Sequence, residues 1–181
     1  MNEQIFFWLQ KIIGVSPAFD HTVKWVAASA DKVVLALAAV CLGIFFITDK
    51  DWKNRKWVAW GIEGVTIITS VGAAWIVSEV IKNIVQAPRP FIAHPDFIPL
   101  FYHEGYDSFP SGHATAFFAL AAAIYYYHRP LGIVFFIFAF LISISRVLAG
   151  IHYPEDILAG AIIGIIIGRL VFIGIRKIFK K

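Results

Sequence analysis

Charge is scarce in this sequence of 181 residues: 15% are Asp, Glu, Lys or Arg, against 59% in the apolar and aromatic set. With a mean hydropathy of +0.74, that balance excludes an ordinary soluble domain and leaves the membrane class. Cysteine is almost absent. Cys41 stands alone inside an apolar run, so neither a disulfide framework nor a cysteine metal site can be built. No Ser/Gly/Pro-rich linker, low-complexity stretch or internal repeat divides the chain, and one domain over residues 1–181 is expected. The start, Met1-Asn2-Glu3-Gln4, lacks the basic region and small-residue cleavage site of a secretion signal, so the N-terminus is expected to be retained.

What is present is a series of long apolar runs. A hydrocarbon core takes roughly 17–25 helical residues to cross. Five runs approach that length, at residues 32–48, 57–81, 111–127, 130–145 and 154–175, and they predict an all-α, polytopic transmembrane bundle of five to six helices. Residues 5–15, with Lys11, and 21–30, with Lys24, are short and charged, and they read as interfacial or partly inserted helices rather than a sixth span. Lys50, Lys53, Arg55 and Lys56 crowd the 49–56 loop, Arg176, Lys177, Lys180 and Lys181 the tail, and Arg129 a tight turn. Cytoplasmic loops favour such residues, so these segments are placed inside. Lys82, Arg89 and Arg146 then fall outside, against that rule, and need a chemical reason.

The reason lies in three groups that this topology brings to the outer helix ends. They are Lys82 with Arg89-Pro90; Pro110-Ser111-Gly112-His113; and Ser145-Arg146 with His152 and Asp156. Lysine supplies a point charge and arginine a planar fork matched to phosphoryl oxygens. Ser111 stands at a helix start, where Gly112 permits close backbone approach and free amides bind anions. Pro154 fits the first turn of the last helix, so Asp156 can reach back to one nitrogen of His152 and leave the other free to attack phosphorus. His113 is then available to protonate the leaving oxygen. The residues alone do not rank His152 over His113 as nucleophile. Taken singly, each group has a plain structural reading: a helix start, a capping Asp, a lysine snorkelling at a helix end. Together on one membrane face they point to a phosphate pocket.

With these motifs the chain resembles the type 2 phosphatidic acid phosphatase superfamily, whose signatures K-x6-R-P, P-S-G-H and S-R-x5-H-x3-D are matched without departure between Lys82 and Asp156. The resemblance implies phosphate binding by Lys82, Arg89, Ser111, Gly112 and Arg146, with His113 as general acid, His152 as nucleophile and Asp156 as its partner. It also implies a phosphohistidine that water hydrolyses, with no metal and no other cofactor. Within the family, the small size and compact helix pattern look most like members that hydrolyse undecaprenyl diphosphate to the monophosphate. Phosphatidylglycerophosphate, phosphatidate and lipid A 1-phosphatases are the alternatives, and a non-catalytic phospholipid-binding transporter is the alternative of another class. The expected partners are a lipid phosphate or diphosphate and the bilayer, with no nucleic acid. The expected place is a bacterial plasma membrane, crossed several times, with the active site on the extracytoplasmic side.

Other residues carry weaker expectations. Glu63 and Arg169 lie at similar depth, roughly 9 Å from the inner ends of their spans, and are expected to pair structurally. Glu79, three residues before Lys82, is expected to orient it. His94, His103, Glu104 and Asp107 read as loop polarity rather than a metal site, and His128 has no evident role. Residues 91–109, rich in Phe, Tyr and Pro, suit either an interfacial segment over the pocket or a loop packed on the bundle.

Overall fold

Proline punctuates the chain where helices begin. Pro17, Pro90, Pro130 and Pro154 each stand in a first turn, where the missing N–H would have had no intrahelical acceptor. The computed structural model describes residues 2–48, 57–103 and 105–179. Its helices are α1 (Asn2–Gln10), α2 (Pro17–Thr48), α3 (Trp57–Val85), the single turn α4 (Pro90–Ala93), α5 (Gly112–Tyr127), α6 (Arg129–Leu148) and α7 (Pro154–Phe179), and no strand occurs among the described residues. The basic 49–56 loop lies outside the described residues.

α2, α3, α6 and α7 are long and apolar enough to cross a membrane, and the fold is a transmembrane helical bundle. Their outward faces carry apolar side chains such as Ile68, Ile76, Phe140, Ile162 and Leu170, the surface that lipid would cover. α5 has only 16 residues and sits inside, packed against α3, α6 and α7. Its close approach to α7 depends on glycine. A Cβ at Gly160 would lie 2.8 Å from the Ser111 carbonyl oxygen, one at Gly168 3.0 Å from that of Ala119, and one at Gly164 would collide with the Thr115 carbonyl. This stripe of glycines four residues apart lets two backbones meet where larger side chains would hold them apart.

One expectation is corrected here. Residues 21–30 are not a separate interfacial helix but the first part of α2, which runs unbroken from Pro17 to Thr48. No Pro or Gly interrupts 18–42, and the buried residues Val23, Ala27, Ala30, Val34 and Ala38 follow one another at spacings of three and four. That apolar stripe continues through the charged stretch and packs on α6. The short α1 lies across the α6–α7 connection. Phe6 is fully buried among the rings of Phe97 and Tyr153, the Gln10 side chain donates to the Val147 carbonyl at 2.7 Å, and the Asn2 side-chain oxygen accepts the Glu155 N–H at 3.2 Å.

Residues 91–109 pack on the bundle, one of the two readings left open for them. Phe97, Leu100 and Phe101 pack against Phe91, Ala149 and Ile151, while Ile98, Tyr102 and Tyr106 stay exposed. At the other end of the bundle, Glu63 has His128 Nε2 at 2.6 Å, a partner the sequence did not suggest.

Candidate active site

Four backbone features bring the three groups together. Gln86, at φ 47°, turns the chain out of α3 and towards Arg89. Phe109–Pro110 leads into α5 through a cis peptide bond, and the Ser111 N–H then donates to the Asp156 carbonyl at 3.1 Å, which ties the start of α5 to the start of α7. Gly150, at φ 81°, reverses the chain after α6 beside the Phe97 ring, where a Cβ would sit only 2.6 Å from the ring edge. The next two residues are Ile151 and His152.

Arg89 is the hub. Its side chain is 1% exposed, and each of its three nitrogens has a partner. Nε and Nη2 donate to the two carboxylate oxygens of Asp107 at 2.8 and 3.1 Å, while Nη1 donates to the Ile151 carbonyl at 2.8 Å and lies 3.2 Å from His152 Nε2. Burial tends to raise the Asp107 carboxyl's pKa, but the hydrogen bond and charge of Arg89, with Lys82 beyond, outweigh it and hold the group below the usual range. Asp107 is thus no mere loop polarity. It sets the plane of the guanidinium.

His152 is buried between Arg89 and Asp156. Its Nδ1 stands 3.4 Å from Asp156 Oδ2, an ion-pair distance, and its Nε2 faces Arg89. Asp156 is itself held, because Oδ2 accepts the Ser108 hydroxyl at 2.6 Å and the Tyr153 N–H at 2.8 Å. Burial, then the positive charges of Arg89 and Arg146, push the His152 imidazole well below its ordinary value. A neutral ring is what a nitrogen nucleophile must be.

The remaining cations stand around the start of α5. Lys82 pairs with Glu79 at 2.8 Å, as expected, and lies 3.9 Å from Asp107. Its ammonium occupies the space above Gly112, where a Cβ would meet Nζ at 3.2 Å. Any other residue at 112 would press on that cation. Arg146 donates from Nη1 to the Ala27 carbonyl on α2, and its buried Nε has no partner. The Ser111 hydroxyl is likewise buried and unpartnered. These unused donors, with the amides of the first turn of α5, fit an incoming phosphoryl group. His113, in that turn, has its Nε2 3.6 Å from Asp31 Oδ2.

Three contributors escaped the sequence reading: Asp107, Ser108 and Asp31. Asp107 and Ser108 lie just before the Pro110-Ser111-Gly112-His113 run, and only the fold shows that they turn inward. Asp31 carried a usable signal, since an acid at the edge of an apolar run is expensive without a partner. His94 faces Glu3 at 3.5 Å while Asp107 faces Arg89, so these two outer-loop residues point to different partners.

The PAP2 superfamily model matches residues 63–180. The undecaprenyl-diphosphatase BcrC of Bacillus subtilis (strain 168) is 31% identical over 175 residues, covering 95% of this chain and 83% of the relative. The bacitracin transport permease protein BcrC of Bacillus licheniformis is 31% identical over 141 residues, covering 78% of this chain and 66% of the relative. Among solved structures, Aquifex aeolicus LpxE aligns with a TM-score of 0.73 and 26% identity over 94% of each chain.

Proposed function

Since the chain belongs to the PAP2 superfamily of lipid phosphatases, we propose that it hydrolyses undecaprenyl diphosphate to undecaprenyl phosphate at the extracytoplasmic face of a plasma membrane. The observation that carries this reading is the arrangement of His152, with one ring nitrogen towards Asp156 and the other beside the Arg89 fork. In the reaction we envisage, Lys82, Arg89, Arg146, the Ser111 hydroxyl and the amide of Gly112 hold the terminal phosphoryl oxygens. They offset charge that would otherwise repel the attacking nitrogen.

His152 Nε2 then attacks phosphorus as the bond to the bridging oxygen breaks, and undecaprenyl phosphate departs with a proton from His113. Asp156 stabilises the positive charge that develops on His152. Water next attacks the phosphohistidine and gives its proton to His113. The His152–phosphorus bond breaks, inorganic phosphate leaves, and both histidines return to their starting states. The cradle supplies its own positive charge, so the mechanism draws on no metal.

The Bacillus subtilis relative's name supports the diphosphate. The transport name of the Bacillus licheniformis relative raises a second reading, a lipid carrier that binds without hydrolysis. The presence of His113, His152 and Asp156 favours hydrolysis. Phosphate release by the purified protein, measured over undecaprenyl diphosphate, phosphatidylglycerophosphate, phosphatidate and lipid A, tests the choice. The highest kcat/KM is expected for the diphosphate. A preference for another member would move the substrate assignment, and binding without release from any would favour the carrier.

A further inference from the structure

We propose that Asp31, on α2, is a positioning residue for His113, holding its imidazole in place and favouring the protonated form that donates to the leaving oxygen. The proposal rests on the reading of His113 as general acid. Asp31 lies outside the three motifs and outside residues 63–180, which the family model matches.

The geometry points to this role in three ways. Asp31 Oδ2 lies 3.6 Å from His113 Nε2, within ion-pair range, and Oδ1 is buried without a hydrogen-bond partner. Both side chains line one small cavity of about 160 Å³, whose other walls include Leu35, Val71, Phe117 and Leu120. In such apolar surroundings a carboxylate acts on its neighbour more strongly than in water. Finally, Ala27 and Asp31 are four residues apart and so share a face of α2. The carbonyl of Ala27 accepts from Arg146, while Asp31 meets His113. One helix face thus braces two site residues.

The charge balance around His113 gives the carboxylate work to do. Arg146 from α6 and His103 from the outer loop act on the ring as positive charges, Lys82 of α3 stands over the same first turn of α5, and His152 is a further neighbour. Burial disfavours an imidazolium most, these charges add to it, and Asp31 supplies the opposite sign at the ring itself. Phe117, one turn on, stacks on the ring with centroids 6.3 Å apart and gives it a flat wall. In the general-acid role His113 must carry a proton when the bond breaks; that proton leaves with the departing oxygen and is replaced from the attacking water. A fixed anion beside the ring favours the charged form at the start and end of that cycle.

The test compares Asp31→Asn, Asp31→Glu, His113→Ala and the double variant Asp31→Asn/His113→Ala on two monoesters. Phosphatidate has a poor alkoxide leaving group that needs the acid, whereas p-nitrophenyl phosphate has a good one that does not. Asp31→Asn should lower kcat for phosphatidate by about 10²-fold, within the range of a general-acid contribution. It should cost p-nitrophenyl phosphate hydrolysis far less, which also shows that the site is folded. Asp31→Glu should recover part of the loss, and Asp31→Asn should add little in the His113→Ala background. Equal losses on both esters, or full additivity with His113→Ala, would overturn the proposal. If His113→Ala itself fails to distinguish the esters, the general-acid reading falls and takes this proposal with it. If His113→Ala distinguishes them and Asp31→Asn does not, only the role of Asp31 is lost.

Discussion

Replacing Arg89 by lysine would keep the charge of the cradle and remove its geometry. The native guanidinium spends two donors on Asp107 and a third nitrogen on the Ile151 carbonyl and His152. A single ammonium cannot reproduce that fork. Two costs follow. A buried Ile151 carbonyl left without its donor costs about 1–3 kcal/mol of stability. Loss of an oriented donor at a transferring group lowers kcat by about 10²–10³, or about 2.7–4 kcal/mol of transition-state stabilisation. Arg89→Lys should therefore unfold at lower temperature by tryptophan fluorescence and release phosphate about 10²–10³ times more slowly at saturating substrate. Asp107→Asn keeps the guanidinium and loosens only its plane, so it should cost less. If folded Arg89→Lys kept kcat within about fivefold of the parent, simple charge would suffice. The argument from fork geometry would then be wrong.

Helix contact, pH and topology give three further expectations. Gly164→Ala drives a Cβ into the Thr115 carbonyl and should destabilise the α5–α7 contact by about 1–3 kcal/mol, while Gly174→Ala, with nothing within 4 Å, should be neutral or stabilising by thermal unfolding in detergent. His152 binds its proton less readily folded than unfolded, so its contribution to stability is present above about pH 6.5 and is lost as the pH falls below that value; the melting midpoint of His152→Asn should fall less between pH 7.5 and pH 5 than that of the parent. In a Cys41→Ser background, a cysteine at the exposed Ile98 position should react with an impermeant thiol reagent outside intact cells and one at Lys53 should not, and the reverse pattern would invert the orientation.

The helices and the motif residues were legible in the sequence because each leaves a local mark. Apolar runs announce α3, α6 and α7, prolines mark the starts of α6 and α7, and spacing alone draws attention to Lys82, Arg89, His113, His152 and Asp156. What stayed hidden depends on contacts between distant segments. The continuity of α2 was obscured because Lys24, Asp31 and Lys32 lower local hydropathy while the buried stripe from Val23 to Ala38 continues beneath them. The glycines of α7 are visible as letters, but that they face Ser111, Thr115 and Ala119 follows only from the packing. Asp107 and Ser108 sit in a loop whose polar residues look solvated, and a turn of backbone decides that one braces Arg89 and the other Asp156. Glu63 was matched to Arg169 by depth along the helices, and depth gave no hint of His128, which comes from the inner turn to hydrogen-bonding distance of it.

The central claim is that His152 carries the phosphoryl group during turnover. Mixing the purified protein with undecaprenyl diphosphate labelled in its terminal phosphate, quenching in base within milliseconds and mapping the labelled peptide measures this directly. The account predicts label on the peptide that contains His152, no label in His152→Ala, and a slower rise of label in Asp156→Asn. Label on His113, or label that persists in His152→Ala, would contradict it.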